Sequence, residues 1–347
     1  MLSEKTGLLV EAHQRLSQMR IAEALGLFHA AESAGENPDV CAAGRWTCYM
    51  LTGNYESAWL QSDKIEARGN PDPYRFWNGQ TLAGKDILLR CLHGLGDTIQ
   101  FIRYAPLIKA QARTLTVEAQ PKLKRLLEKA NIADEVITWG EKEPPWNQQI
   151  EVNELPRIFR TTLLSIPSNV PYLRFEQPPP ATGQNEGQPL RVGFAWAASD
   201  FNRARTVPLE LLASLFGTPG ALFFSVQAGS EFAQVQPWAA QVKSLTEEST
   251  CILRVAREMN NLDLIITVDT MTAHLAGALG RRTWTLLPFA CDWRWMLNRS
   301  DTPWYPTMRL FRQPMPGNWE PVIQQVRQEL GNLVTARALL RNQRREE

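Results

Sequence analysis

Asp269, Thr270 and His274 are the residues in this 347-residue sequence whose types and spacing most suggest chemistry. An apolar run over 262–268 ends at Asp269, and Thr270 opens a stretch of helical spacing. The N–H groups and dipole at the start of such a helix favour an anion. Thr270 and His274 are four apart, so both lie on one face of the first turns and can face one phosphate group. The small residues Ala273, Ala276, Gly277 and Ala278 let the helix sit close to a sheet. The unit over 262–288 therefore reads as strand, turn, helix and strand with an anion site at the turn. The same residues also suit a purely structural role, with Asp269 and Thr270 capping the helix and His274 buried and hydrogen-bonded.

A second group is His93-Gly94-Leu95-Gly96-Asp97. Its glycines allow a close backbone approach to a ligand, and Asp97 is expected to begin a helix. Facing a cleft, Asp97 can accept a proton from a hydroxyl as a general base; otherwise it is a helix-capping carboxylate. Ile99 stands where a dinucleotide fingerprint has its third glycine, which argues against a nicotinamide or flavin enzyme. A third group, over 196–206, offers Arg203 or Arg205 to neutralise a diphosphate, or is a solvated arginine loop. A fourth, over 288–295 with Pro303-Trp304-Tyr305-Pro306, is rich in aromatics that either stack on a base or sugar ring or form a packed lid. After Lys142 the only lysine is Lys243, so a phosphate held by the second half must be met by Arg, His or backbone N–H. No Asp-x-Asp triplet occurs to hold a divalent metal on a diphosphate.

The elements that would position these groups follow from periodicity. Apolar runs over 86–92, 115–119 and 135–139 read as strands, with helices over 97–112 (bent near Pro106) and 121–130. Residues 177–188 (QPPPATGQNEGQ) have no apolar period and read as a linker. Strands then recur over 191–196, 221–227, 262–268 and 283–287, with helices over 208–215 and 270–279 and a long closing helix over 320–341. Alternating strand and helix predicts two doubly wound α/β lobes with parallel sheets and a cleft at the carboxyl ends of both sets of strands.

The first 70 residues repeat at a spacing of 34: Ile21-Ala22-Glu23-Ala24 aligns with Tyr55-Glu56-Ser57-Ala58, and Gly35 with Gly69. Helices are predicted over 8–17, 21–33, 40–52 and 55–68, a pattern of two tetratricopeptide-like repeats that should pack on the next domain. A net charge of +1 gives no basic field for nucleic acid, and no run approaches the roughly 18 apolar residues of a membrane span. Five cysteines without metal spacing fit a reducing cytoplasm, with the thiols buried as small apolar groups.

Taken together, Gly94-Leu95-Gly96-Asp97-Thr98-Ile99-Gln100-Phe101, Val268-Asp269-Thr270, Ala273-His274-Leu275-Ala276-Gly277, Asp292-Trp293-Arg294-Trp295 and Trp304-Tyr305-Pro306 resemble a bacterial family. Its members join tetratricopeptide repeats to a heptosyltransferase-like (family 9) glycosyltransferase domain of the GT-B fold. The resemblance implies an inverting, metal-independent transfer of a sugar from a nucleotide-sugar donor to an acceptor hydroxyl, with no separate cofactor. It places Arg205, Asp269, Thr270 and His274 at the donor, the His93, Gly94 and Gly96 loop at the acceptor, and Asp97 as base. The expected organisation is helical repeats over 1–72, an acceptor-side lobe over 73–176, the linker, a nucleotide-sugar lobe over 189–313 and a C-terminal helix over 314–347. The acceptor is left open as a glycan, lipid-linked glycan or protein, with a protein partner for the repeats. A catalytically silent sugar-nucleotide binder or scaffold, and a sugar-nucleotide epimerase that needs no acceptor, are the competing readings.

Overall fold

The computed structural model describes residues 2–69, 75–175, 188–198, 200–246 and 251–346. The chain opens with four helices, α1 (Leu2–Ser17), α2 (Ile21–Ser33), α3 (Pro38–Leu51) and α4 (Tyr55–Ala67), each packed on the next. The third starts two residues before its apolar pattern does, because Pro38 suits the first helical position and Asn37 Oδ1 caps the N–H groups of Asp39 and Val40. At the α2–α3 crossing Gly44 leaves room for Phe28, since a Cβ there would lie 2.3 Å from the ring.

The first lobe contains β1 (Asp86–Arg90), α5 (Leu95–Phe101), α6 (Ala105–Lys109), β2 (Thr114–Ala119), α7 (Lys124–Lys129), β3 (Glu135–Thr138), β4 (Gln148–Glu151) and α8 (Leu155–Ile158). Its strands are parallel in the order β3-β2-β1-β4. The helix expected to begin at Asp97 begins at Leu95 with Gly94 as cap, and it breaks into a tight turn over Ile102–Tyr104 before α6 starts at Ala105, with Pro106 in its first turn. Strand β4 has no counterpart in the sequence reading. Only Ile150 in it is strongly apolar, and its two buried residues, Ile150 and Glu151, are adjacent, so this edge strand shows no alternation.

The second lobe contains β5 (Leu190–Ala195), α9 (Leu209–Ala213), β6 (Ala221–Ser225), β7 (Val242–Ser244), α10 (Ile252–Asn260), β8 (Leu264–Val268), α11 (Met271–Ala278), β9 (Thr283–Leu287), β10 (Met308–Arg312) and α12 (Glu320–Glu346). Its parallel sheet runs β10-β9-β8-β5-β6-β7, so the order reverses between β5 and β8. That reversal is the crevice at which doubly wound sheets bind ligands. The first lobe has the matching reversal between β1 and β4. Strands β7 and β10 and helix α10 were not predicted; β7 spans three residues, two of them polar and exposed, and leaves little pattern to read. Helix α12 packs through Trp319, Val322, Ile323, Val326 and Leu330 onto the second lobe's core. The predicted linker over 177–188 lies outside the described residues except for Gln188.

The N-terminal helices seat on both lobes. Trp59 donates its indole N–H to Thr161 O at 2.8 Å, and Arg157 reaches Asp63 and Glu66 of α4 at 2.7 and 2.5 Å. Toward the second lobe, Trp304 Nε1 donates to Tyr55 OH at 3.2 Å, and Leu297 N–H to Leu51 O at 3.0 Å. One continuous apolar core includes Tyr55 and Trp59, Phe101 and Tyr104, and Trp295 and Trp304. Between the lobes, buried Arg103 donates to Trp304 O at 2.6 Å and lies 4.6 Å from the Tyr305 ring centre.

Candidate active site

A cleft of about 1750 Å³ lies between the lobes at the carboxyl ends of both sheets. Every residue singled out for the site, His93, Gly94, Gly96, Asp97, Arg205, Asp269, Thr270 and His274, lines it. Arg203 does not; it is exposed outside.

On the second-lobe wall, Asp269 follows the end of β8 at Val268 and Thr270 caps α11, its hydroxyl oxygen accepting from Thr272 N–H at 3.3 Å. Arg205 enters from the loop after β5. Its Nη1 lies 3.7 Å from Asp269 Oδ2, beyond hydrogen-bond reach, and its buried Nε has no hydrogen-bond partner. Burial, helped by the nearby Asp292 carboxylate, pushes the Asp269 carboxyl up to about 6, with Arg205 opposing. Asp269 is therefore still mostly ionised at neutral pH and loses its charge only as pH falls through about 6.

His274 is buried, with Nδ1 2.9 Å from Tyr305 OH and its ring stacked on Trp295 at 5.4 Å. Burial, reinforced by Arg294, Arg103 and Arg205, holds its pKa well below the usual histidine value. A neutral ring with one nitrogen satisfied offers a ligand a hydrogen bond but no charge. Gly96 sits against this ring: a Cβ there would lie 2.9 Å from His274 Cδ2. The close approach this glycine permits is thus first of all between the two lobes.

Asp97 is neither the first residue of its helix nor a free carboxylate. It occupies the third position of α5, where Oδ2 accepts the Gly94 N–H at 3.0 Å. Its Oδ1 lies 2.6 Å from Nη2 of Arg294 on the opposite lobe. Arg294 also donates to Gln100 Oε1 at 2.6 Å and Asp292 Oδ1 at 3.0 Å, and its guanidinium lies 4.7 Å from the Trp293 ring centre. These contacts make Arg294 and Asp292 site residues that the sequence reading left unassigned. Their signal was position, since both lie in the loop after strand β9, at the carboxyl end of the sheet.

The aromatics of that loop are packing groups. Trp293 stacks on Phe101 at 6.4 Å and meets Trp46 edge-on at 5.7 Å, while Trp295 and Trp304 are fully buried. Only Asp292 and Arg294 of this segment line the cleft. On the first-lobe rim, His93 keeps 39% side-chain exposure with Nε2 3.8 Å from Glu151 Oε1. Of the five cysteines, Cys251 is exposed and lines the cleft, contrary to the expectation that all are buried; it sits at the cap of α10, where the helix meets the cavity.

Two solved structures share this two-lobed arrangement. A family 9 glycosyl transferase from Veillonella parvula superposes with a TM-score of 0.53 at 15% identity, over 74% of this chain and 99% of that one. The ADP-heptose lipopolysaccharide heptosyltransferase II of E. coli gives 0.52 at 14% identity, over 72% and 99%. The fold is therefore the mixed α/β, parallel-sheet GT-B type of these proteins. In sequence, the chain is 27% identical to protein FlbA of Caulobacter vibrioides over 91% of its own length, and it spans 59% of that protein. No family model matches the chain.

Proposed function

We propose that this chain is an inverting, metal-independent glycosyltransferase that moves a sugar from a nucleotide-sugar donor to an acceptor hydroxyl. The observation that carries the reading is Arg205. Its buried, unpartnered Nε stands beside the Thr270 cap of α11, at the strand-order reversal of the second lobe and inside the cleft. A diphosphate seated there meets a guanidinium, a helix N-terminus and the neutral edge of His274. Arginine and helix dipole stabilise the departing nucleoside diphosphate by preorganised electrostatics. The acceptor approaches from the opposite wall, over the His93–Asp97 loop, so attack opposite the leaving group inverts the sugar carbon. That loop supplies the proton acceptor, and Asp97 is the member that the family resemblance singles out. The GT-B likeness supports the same reading, and the E. coli protein it includes is a heptosyltransferase named for ADP-heptose.

The four N-terminal helices we read as two tetratricopeptide-type repeats whose remaining surface is open to a protein partner. The chain would work in the cytoplasm. The test is thermal stabilisation by UDP-, GDP-, ADP- and CMP-linked sugars, where a ligand at a hundred times its Kd adds about 2.7 kcal/mol. One member of the panel should raise the melting temperature. No shift with any at millimolar concentration would sink the donor site.

One observation favours a silent sugar-nucleotide binder instead: both Asp97 oxygens are engaged within the protein. Turnover of the stabilising donor separates the two. Under the transferase reading Asp97→Asn loses turnover and keeps donor binding, whereas a silent binder shows no turnover to lose.

A further inference from the structure

Arg294 reaches the cleft from a ring that the N-terminal helices help to hold. Its guanidinium lies 4.7 Å from the Trp293 ring centre and 5.3 Å from that of Phe101. Trp293 is enclosed in turn by rings from three parts of the chain. Trp46 of α3 meets it edge-on at 5.7 Å and Tyr55 of α4 at 6.3 Å. Phe101 of α5 stacks on it at 6.4 Å, and Trp304 of the second lobe meets it at 6.2 Å. Such contacts fix the orientation of one ring against the next, and the guanidinium follows the ring it lies on.

The backbone of the same loop is fastened to the same helices. Met296 has φ 51° and ψ −173°, and Asn298 has φ 54°, a region that residues with side chains rarely adopt. A backbone of this kind persists where its surroundings hold it. On one side Arg312 Nη2 donates to Trp295 O at 2.6 Å. On the other, Leu297 N–H donates to Leu51 O at 3.0 Å, while the closing bonds of α3 use the carbonyls of Cys48, Tyr49 and Met50. The turn after α3 sits against the loop as well, since a Cβ on Gly53 would lie 3.3 Å from the Met296 sulfur.

On the cleft side Arg294 holds Asp97 Oδ1 at 2.6 Å. An ionised carboxylate has about four lone-pair sites. This bond and the one from Gly94 N–H therefore direct Asp97 and leave it able to accept a proton.

We propose that Trp46 and Tyr55 are positioning residues for the cleft: through Trp293 they fix Arg294, and through Arg294 the Asp97 carboxylate. The N-terminal helices are then a supporting wall of the site. The effect on turnover rests on the transferase reading above; the path from Trp46 to Asp97 needs no ligand.

Two measurements on the full chain test this. The first is a double-mutant cycle of Arg294→Met with Asp97→Ala, read from denaturant melts. In the wild type the two changes should be coupled by about tenfold in the unfolding constant. The coupling should shrink in Trp46→Phe and fall to about threefold or less in Trp46→Leu and in Tyr55→Leu. Phe28→Leu is the control. It loosens the separate core of α1 to α3, so it should destabilise the helices and leave the coupling at its wild-type value. Undiminished coupling in Trp46→Leu, or in Trp46→Phe where the leucine variant does not fold, would overturn the proposal. An equal loss in Phe28→Leu would overturn it too.

The second measurement is binding and transfer to water of UDP-, GDP-, ADP- and CMP-linked sugars. Trp46→Leu should lower turnover by about 10- to 100-fold, the cost of a misplaced reacting group. Donor affinity should hold, because Arg205 and Thr270 lie on the opposite wall. Wild-type turnover in Trp46→Leu would count against the assignment. If the wild type turns over no donor, the transferase reading fails, and the ligand-free coupling decides the positioning by itself.

Discussion

Arg294 Nη2 lies 2.6 Å from Asp97 Oδ1, an ion pair joining the loop after β9 in one lobe to the first turn of α5 in the other. Asp292 and Gln100 complete the ring of acceptors around the same guanidinium. The pair sets both the distance across the cleft and the direction of the Asp97 carboxylate. Geometry of this kind depends on a planar fork, which lysine cannot reproduce.

Arg294→Met should therefore destabilise the protein by about 3 kcal/mol, because it leaves two carboxylates without their shared cation. Arg294→Lys should recover only part of the loss. Urea melts of the two variants check this. A lysine variant as stable as the wild type would show that charge alone is sufficient.

Arg205→Ala should weaken nucleotide-sugar binding by about 10- to 100-fold, the worth of one charge-assisted hydrogen bond. Stability should also fall at neutral pH, since the buried Asp269 carboxylate, ionised above about 6, loses the cation 3.7 Å away. Calorimetric titration with the stabilising donor measures the first effect and a thermal melt the second.

Glu151 makes stability depend on pH with a definite sign. Its folded pKa of about 8 lies above the ordinary 4.5, so the folded state binds the extra proton. That contribution is fully present below about 4.5 and is lost as pH rises through about 8. The limit is about 1.4 kcal/mol per pH unit. Glu151→Gln should remove the slope, leaving the variant more stable than wild type at pH 8 than it is at pH 5 in relative terms. Denaturant melts at the two pH values decide, and an equal difference at both would exclude a raised carboxyl.

Gly96→Ala should cost about 1 to 3 kcal/mol by overpacking, because its Cβ would meet His274 Cδ2 at 2.9 Å. The ring cannot retreat easily between Trp295 and Tyr305. The matching change in donor affinity, read by titration, would place His274 at the ligand; unchanged affinity would leave it a packing residue.

The N-terminal helices should not melt as a separate unit. Trp59 and Tyr55 belong to the core that continues into both lobes, and both make hydrogen bonds across those boundaries. Tryptophan fluorescence and helical circular dichroism should report one coincident transition. Two separated transitions would contradict the shared core.

The sequence by itself determined what depends on short-range pattern. Period and turn residues located four N-terminal helices and most strands of two α/β lobes, because a helix or buried strand writes its exposure pattern directly into adjacent positions. They also located the Asp269-Thr270-His274 and His93–Asp97 segments at strand ends, where cleft residues belong. Edge strands escaped, since β4 and β7 are too short, at four and three residues, to show a period. Partners distant in the chain were decided only by tertiary structure. Nothing in the spacing of Asp97 and Arg294 announces a pair across 197 positions. Nor does the run Asp292-Trp293-Arg294-Trp295 show that its tryptophans pack inward while its charges face the cleft. The protonation states followed from the same source. His274 is neutral and Glu151 is raised because folding removed water from around them, and desolvation is a property of the assembled neighbours rather than of the residue.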